Sequence, residues 1–127
     1  MTAAELIEKA ERAVASARLL LDEGDIDGAC NRAYYAMFDA ARAALLVARS
    51  PARAESTRTH SGLITAFSLE LVKAGQVDTE LGRALNKAAE VRMIADYMAA
   101  TVSLEIAEET VSNAARFVAA MRTTFGI

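Results

Sequence analysis

The 127-residue chain has little of several things. It carries one cysteine, one proline, one histidine and no tryptophan, and aromatic residues make up 6%. A lone cysteine gives no disulfide within the chain. Without a second histidine or a cysteine cluster, no zinc site is expected. Cys30 falls on an apolar helix face, where a thiol is a small core residue rather than a nucleophile. With so little proline, long helices can run uninterrupted. No apolar run approaches the ~20 residues of a membrane span. Residues 1–5, Met-Thr-Ala-Ala-Glu, lack the basic and apolar segments of a signal peptide, so the chain is read as cytoplasmic. There is no glycine-rich phosphate loop and no serine–histidine pairing. No cofactor and no metal are expected.

What is present is apolar and rich in alanine: 54% of residues are hydrophobic, and the net charge is -3. The length fits one domain, residues 1–127, and suffices to bury a core without disulfides or metal. The charge argues against a surface that attracts nucleic acid everywhere. Arg42, Arg49, Arg53 and Arg58, opposed only by Glu55, nonetheless gather in or beside one connection. A local patch of this kind can engage phosphate on an acidic protein, although a solvated loop has the same composition.

Hydrophobic periodicity marks five helices and no repeats. The first spans about 3–23, opened by the capping box Thr2-x-x-Glu5 and stopped at Gly24. Leu6, Ala10, Ala13, Ala17 and Leu20 form its stripe. The second spans about 26–49 and ends at Ser50-Pro51, because the residue before proline disfavours helix. After a loop to about residue 56, the third spans 58–74, with His60, Leu63, Ile64, Phe67, Leu71 and Ala74 in register and Gly75 closing it. The fourth, capped by Asp78, reaches about residue 100. The fifth starts near Ser103, with Glu105, Glu108 and Glu109 at the positive end of its dipole. Its apolar residues from Leu104 to Phe125 alternate at three and four, the spacing of near-parallel packing. Short connections between long helices imply antiparallel neighbours. The expected fold is all-α, an up-and-down antiparallel bundle of four to five helices. Alanine-rich stripes leave room for a second protomer, so a homodimer is expected.

The run Asn31-Arg32-Ala33-Tyr34-Tyr35-Ala36-Met37-Phe38 stands out. At about 3.6 residues per turn, Cys30, Ala33, Tyr34, Met37, Ala41, Ala44 and Leu45 share a core face. Arg32, Tyr35, Asp39 and Arg42 line a second face that can hydrogen-bond, flanked by Ala36 and Ala43. On the fourth helix, Arg92 and Asp96 stand four apart, on a face otherwise made of Leu85, Ala88, Ala89 and Ala99. The order Arg then Asp is the less favourable one for a helical ion pair, and unpaired charge on an inward face is costly. These residues are therefore candidates for a site or an interface. His60 shares a face with Leu63, Phe67 and Leu71 and reads most simply as a packed or capping residue.

The run Asn31–Phe38, the segment Thr59-His60-Ser61-Gly62-Leu63-Ile64 and Arg92-x-x-Ala95-Asp96-Tyr97, in this order and spacing, closely resemble the small stand-alone branch of the HEPN domain family. The resemblance covers essentially the whole chain. It implies a dimerising all-α bundle, a partner of the MNT nucleotidyltransferase type in a toxin–antitoxin-like pair, and, in many members, metal-independent endoribonuclease activity. The family's motif is Arg, four to six residues, then His, met twice across the dimer axis. Laid on this chain, the Arg is Arg92 and the histidine position falls on Tyr97 or Asp96; the polar residue expected after the Arg is Met93. The tyrosine that some members carry two residues after the histidine, where the partner attaches nucleotide, is here Ala99. An ordinary tyrosine titrates near ~10 and a histidine near ~6.5, so a tyrosine at this place suits a hydrogen-bond donor or acid better than a base.

Three functions are then open. The chain binds nucleotide or RNA, or the partner transferase, in a dimer cleft lined by Arg32, Tyr35, Asp39 and His60. Alternatively it is an endoribonuclease toxin using Arg92 with Asp96 and Tyr97. In the third, these groups only lock the second helix to the fourth.

Overall fold

A computed structural model of the chain describes residues 1–49, 58–98 and 100–127. Five helices follow in order: α1 (Ala3–Asp22), α2 (Ile26–Val47), α3 (His60–Phe67), α4 (Thr79–Tyr97) and α5 (Leu104–Phe125). There is no strand among the described residues. The architecture is the all-helical bundle that periodicity predicts.

Local chemistry explains most boundaries. The Thr2 hydroxyl accepts from the Glu5 amide and the Glu5 carboxylate accepts from the Thr2 amide, so the capping box forms. Asp25, Thr59, Asp78 and Ser103 each cap the helix that follows. Gly24 and Gly75 take φ of 85° and 81°, the left-handed geometry that glycine adopts without a Cβ clash.

Three ends differ from expectation. The α2 helix stops at Val47, because Arg49 itself turns left-handed (φ 52°) before the proline is reached; Ser50-Pro51 and the loop to residue 56 lie outside the described residues. The third helix begins two residues late, at His60, with Thr59 as its cap. It then widens into a π-helical turn over Ser68–Val72, where the Lys73 amide reaches the Ser68 carbonyl five residues back. Ala74 consequently leaves the stripe and is exposed. The α4 helix ends at Tyr97, where Met98 becomes extended (φ -108°, ψ 151°).

The α2 helix is the centre of the molecule and packs against all four others. Thirteen of its 22 residues are buried, seven of them alanines, which let α1, α4 and α5 approach closely. Ala36 and Ala43 are completely buried against this chain's own helices, so they are not reserved for a second protomer. Leu6, Ile7, Tyr34, Met37, Leu63, Phe67, Leu85, Phe117 and Met121 fill the core. Phe67 meets Phe117 with ring centres 5.5 Å apart, tying α3 to α5. No described helix is long and apolar enough to cross a membrane.

Candidate functional site

Because α2 is surrounded, its polar side chains have few ways out. Tyr34 is fully buried, and a buried phenol requires a partner for its hydroxyl. It finds one in His60, the first residue of α3: the Tyr34 hydroxyl lies 2.7 Å from His60 Nδ1. The other ring nitrogen, Nε2, lies 3.5 Å from the Tyr35 hydroxyl, at the edge of hydrogen-bond reach. The rings of Tyr34, Tyr35 and Phe38 surround the imidazole at centre distances of 5.3, 5.7 and 5.4 Å and fix its plane.

On the other side of Tyr35 stands Arg92 from α4, only 7% exposed. Its Nη2 donates to the Tyr35 hydroxyl at 3.5 Å and to the Tyr97 hydroxyl at 3.2 Å. Its guanidinium carbon lies 5.6 Å from the ring centres of both Tyr34 and Tyr35 and 5.2 Å from that of Tyr97. Three electron-rich rings thus form a cage around one cation. Arg92 Nε is 3.2 Å from Asp96 Oδ2, yet its N–H is not directed at that oxygen. The two groups form an ion pair without a hydrogen bond, and the Nε–H is buried with no aligned acceptor. Asp96 Oδ2 instead accepts from Asn31 Nδ2 at 2.9 Å. The site therefore draws Asn31, Tyr34, Tyr35 and Phe38 from α2, His60 from α3, and Arg92, Asp96 and Tyr97 from α4.

The electrostatics follow from burial and from Arg92. Burial, helped by the Arg92 charge, lowers the pKa of His60 below its ordinary value, so the imidazole is neutral at physiological pH. Burial pushes the Tyr34 phenol up to about 12, against the opposing pull of Arg92, and it stays a hydroxyl. Cys30 is buried and pushed up to about 11 by burial, then by Asp27 and Asp96, which agrees with an inert core thiol.

Of the residues singled out in the sequence, Arg92, Asp96, Tyr97, Tyr35 and His60 come together. Arg32 and Asp39 do not. No hydrogen bond, ion pair or ring contact links either of them to that cluster. Asp39 is buried and faces α1, with its Oδ2 3.9 Å from Lys9 Nζ; burial raises its pKa, opposed by Lys9, Arg42 and Arg32. The reason is angular. At about 100° per residue, Arg32 and Asp39 lie about 40–60° to one side of Tyr35, while Asn31 and Phe38 lie about 40–60° to the other, toward α3 and α4. Tyr34, read in the sequence as a core residue, and Asn31, given no site role there, belong to the cluster. A buried tyrosine one position from Tyr35 and a single histidine in register on the third helix were the available signal. Of the basic patch, Arg49 and Arg58 are exposed and Arg42 is half-buried beside Asp39, while Arg53 and Glu55 lie outside the described residues, as does Ala99. Among the described residues no group of three or more His, Cys, Asp or Glu side chains is placed to hold a metal ion.

The fold is that of an all-helical bundle protein. The chain belongs to the HEPN domain family, whose model matches residues 3–123. Among its relatives, it is 36% identical over 115 residues to a UPF0332 protein of Gloeobacter violaceus, covering 89% of this chain and 87% of that one. It is 34% identical over 113 residues to a Methanocaldococcus jannaschii protein named "Putative toxin MJ0605", covering 89% and 81%. A second protein of that archaeon, "Putative toxin MJ0142", is 35% identical over 104 residues, covering 82% of this chain and 65% of its own length.

Proposed function

We propose that this chain is the toxin-type member of a two-protein pair, with an MNT-type nucleotidyltransferase as partner, and that it binds the phosphate of RNA or of a nucleotide at Arg92. The observation that carries this reading is the state of Arg92. A guanidinium is costly to bury, and interiors that bury one ordinarily satisfy all of its five donors. Among the described residues Nη2 is divided between two phenols, Nη1 has only the Met93 sulfur at 3.8 Å, and the Nε–H is unaligned. The cage holds the cation rigid and leaves donors for a phosphate, which accepts from several N–H groups at once. Asn31 holds Asp96, so the carboxylate does not close over the guanidinium.

The surroundings support a nucleic-acid ligand and a second copy. Tyr97 is 68% exposed although its hydroxyl touches Arg92, so its ring offers a stacking surface for a base. Met93 and Met98 are exposed beside it, and Leu104 and Ile106 are exposed at the start of α5. Exposed apolar side chains on α4 and at the start of α5 suit contact with a second copy of this chain. The toxin names of two relatives support the pairing, and the protein is expected in the cytoplasm. Induced expression tests the reading. The parent should arrest growth, Arg92→Met should not, and a co-expressed nucleotidyltransferase from the same locus should restore growth to the parent. Arrest that persists undiminished in Arg92→Met removes the phosphate site from the reading.

A further inference from the structure

We propose that Met93 is a modification site that regulates Arg92: oxidation of its sulfur by a peroxide turns a sulfoxide oxygen onto the guanidinium and closes the phosphate site. This rests on the phosphate-binding reading above and adds the regulation of that site. Met93 follows Arg92 on α4, and consecutive residues of a helix point about 100° apart. The ends of the two long side chains meet all the same, with Arg92 Nη1 donating to the Met93 sulfur at 3.8 Å. The direction of this contact is fixed, since a guanidinium only donates and a thioether only accepts. A thioether is a weak acceptor, so Nη1 stays available to a phosphate oxygen.

Exposure singles out this sulfur. Of the five methionines, Met37 and Met121 are completely buried. Cys30, the only thiol, is sealed in the core and offers a peroxide almost no thiolate. Met93 is 48% exposed, and Met1 and Met98 are exposed as well. Met1 precedes α1, and Met98 leaves α4 in an extended backbone. Among the described residues neither shares a hydrogen bond with Arg92, whereas Met93 does.

The step balances with hydrogen peroxide as the oxidant. A lone pair of the sulfur attacks one peroxide oxygen, the S–O bond forms and the O–O bond breaks. The sulfur gives up two electrons and the peroxide is reduced. The departing oxygen takes the proton of the transferred one and leaves as water. One lone pair of the sulfur is engaged by Nη1, so the oxygen adds on the open side. Methionine is unbranched with three rotatable bonds, and rotation brings that oxygen round to the guanidinium. It stands one bond beyond the sulfur, which carries it from the 3.8 Å contact into the range of about 2.7–2.9 Å for a charge-assisted bond. Nη1 then bonds to the chain's own oxygen instead of to phosphate. A methionine sulfoxide reductase with a dithiol reverses the step, giving back the thioether, a disulfide and water.

The experiment uses the full chain, hydrogen peroxide and a fluorescent single-stranded RNA in EDTA. Anisotropy reads binding, peptide mass reads sulfoxide at each methionine, and circular dichroism reads the helices. Each protein is compared with its own untreated form. The parent with Met93 oxidised should bind RNA at least about tenfold more weakly, the scale of one lost charge-assisted donor, and should recover after the reductase. Met98→Leu should lose binding as the parent does, while Met93→Leu should change by less than about twofold. Parent binding that stays within about threefold after Met93 is oxidised overturns the proposal. So does an equal loss in Met93→Leu, or a loss that comes with loss of helix. A Met93 that stays reduced while Met98 oxidises shows a covered sulfur and overturns it too. These outcomes leave the phosphate-binding reading in place; no binding by the untreated parent overturns both.

Discussion

Replacing Arg92 by methionine separates a binding residue from a structural one. Methionine keeps the length and the apolar stem of the side chain and deletes the guanidinium. Burying that group costs several kcal/mol after relaxation. Three cation–π contacts return, together, about 2–3 kcal/mol. The two hydrogen bonds to phenols, at 3.2 and 3.5 Å, are long and return about 1 kcal/mol between them. The Asp96 carboxylate, 3.2 Å away but unaligned and with a side chain 22% exposed, adds about 1 kcal/mol. These contributions cancel to within about 1–2 kcal/mol. The loss of Asp96's cation is softened because Asn31 still holds the carboxylate at 2.9 Å. Arg92→Met should therefore unfold within about 2 kcal/mol of the parent, a melting shift of no more than roughly 6–10 °C for a chain of this size. Urea and thermal unfolding followed by circular dichroism at neutral pH would measure it. A loss of about 3 kcal/mol or more would show that the caged cation holds α2 to α4, and the reasoning that assigns it to a ligand would fail.

Other expectations follow from the same geometry. Tyr34→Phe removes the hydroxyl opposite His60 Nδ1 and should destabilise by about 1–3 kcal/mol in urea, because a half-buried ring nitrogen loses its partner; an unchanged midpoint would mean that solvent already serves Nδ1. His60 has a lowered pKa in the folded state, so the unfolded chain binds its proton first. Stability contributed by the neutral ring is present above about pH 6.5 and is lost as pH falls below it, and His60→Gln should flatten that part of the stability curve. Asp39 has the opposite sign. Burial raises its pKa, so the folded state holds the proton more tightly and the associated stability is lost as pH rises. Asp39→Asn should be within about 1 kcal/mol of the parent at pH 4 and gain on it by pH 7; a large loss at pH 7 would show that the Lys9–Asp39 contact is worth more than its 3.9 Å separation implies.

The helices were legible because apolar spacing and caps agree. Thr2 with Glu5, Gly24, Gly75, Asp78 and Ser103 each act where local chemistry places them. The helix ends at Val47 and Tyr97 were not, since a left-handed arginine at residue 49 and an extended methionine at residue 98 have no local signature. The π-helical turn was invisible for a similar reason: Ser68–Val72 continues the helical pattern without a break. At the site, Arg92, Asp96 and Tyr97 could be grouped because one helix carries them. The grouping of His60 with Arg92 could not, since it depends on how α3 and α4 meet α2. The face of α2 that reaches Arg92 lies about half a residue's turn to the other side of Tyr35 from Arg32 and Asp39. Polar spacing pointed to Arg32 and Asp39, whereas the aromatic Tyr34 and the amide Asn31 make the contacts.

The central claim is that a buried, caged arginine binds phosphate. Its most direct test is fluorescence anisotropy of a short single-stranded RNA in EDTA, titrated with the parent and with Arg92→Met, both confirmed as folded in the same buffer. The account predicts that the parent binds and that the substitution weakens binding at least about tenfold, the loss of a charge-assisted contact of about 1.5 kcal/mol or more. Equal affinity in the two proteins would contradict it.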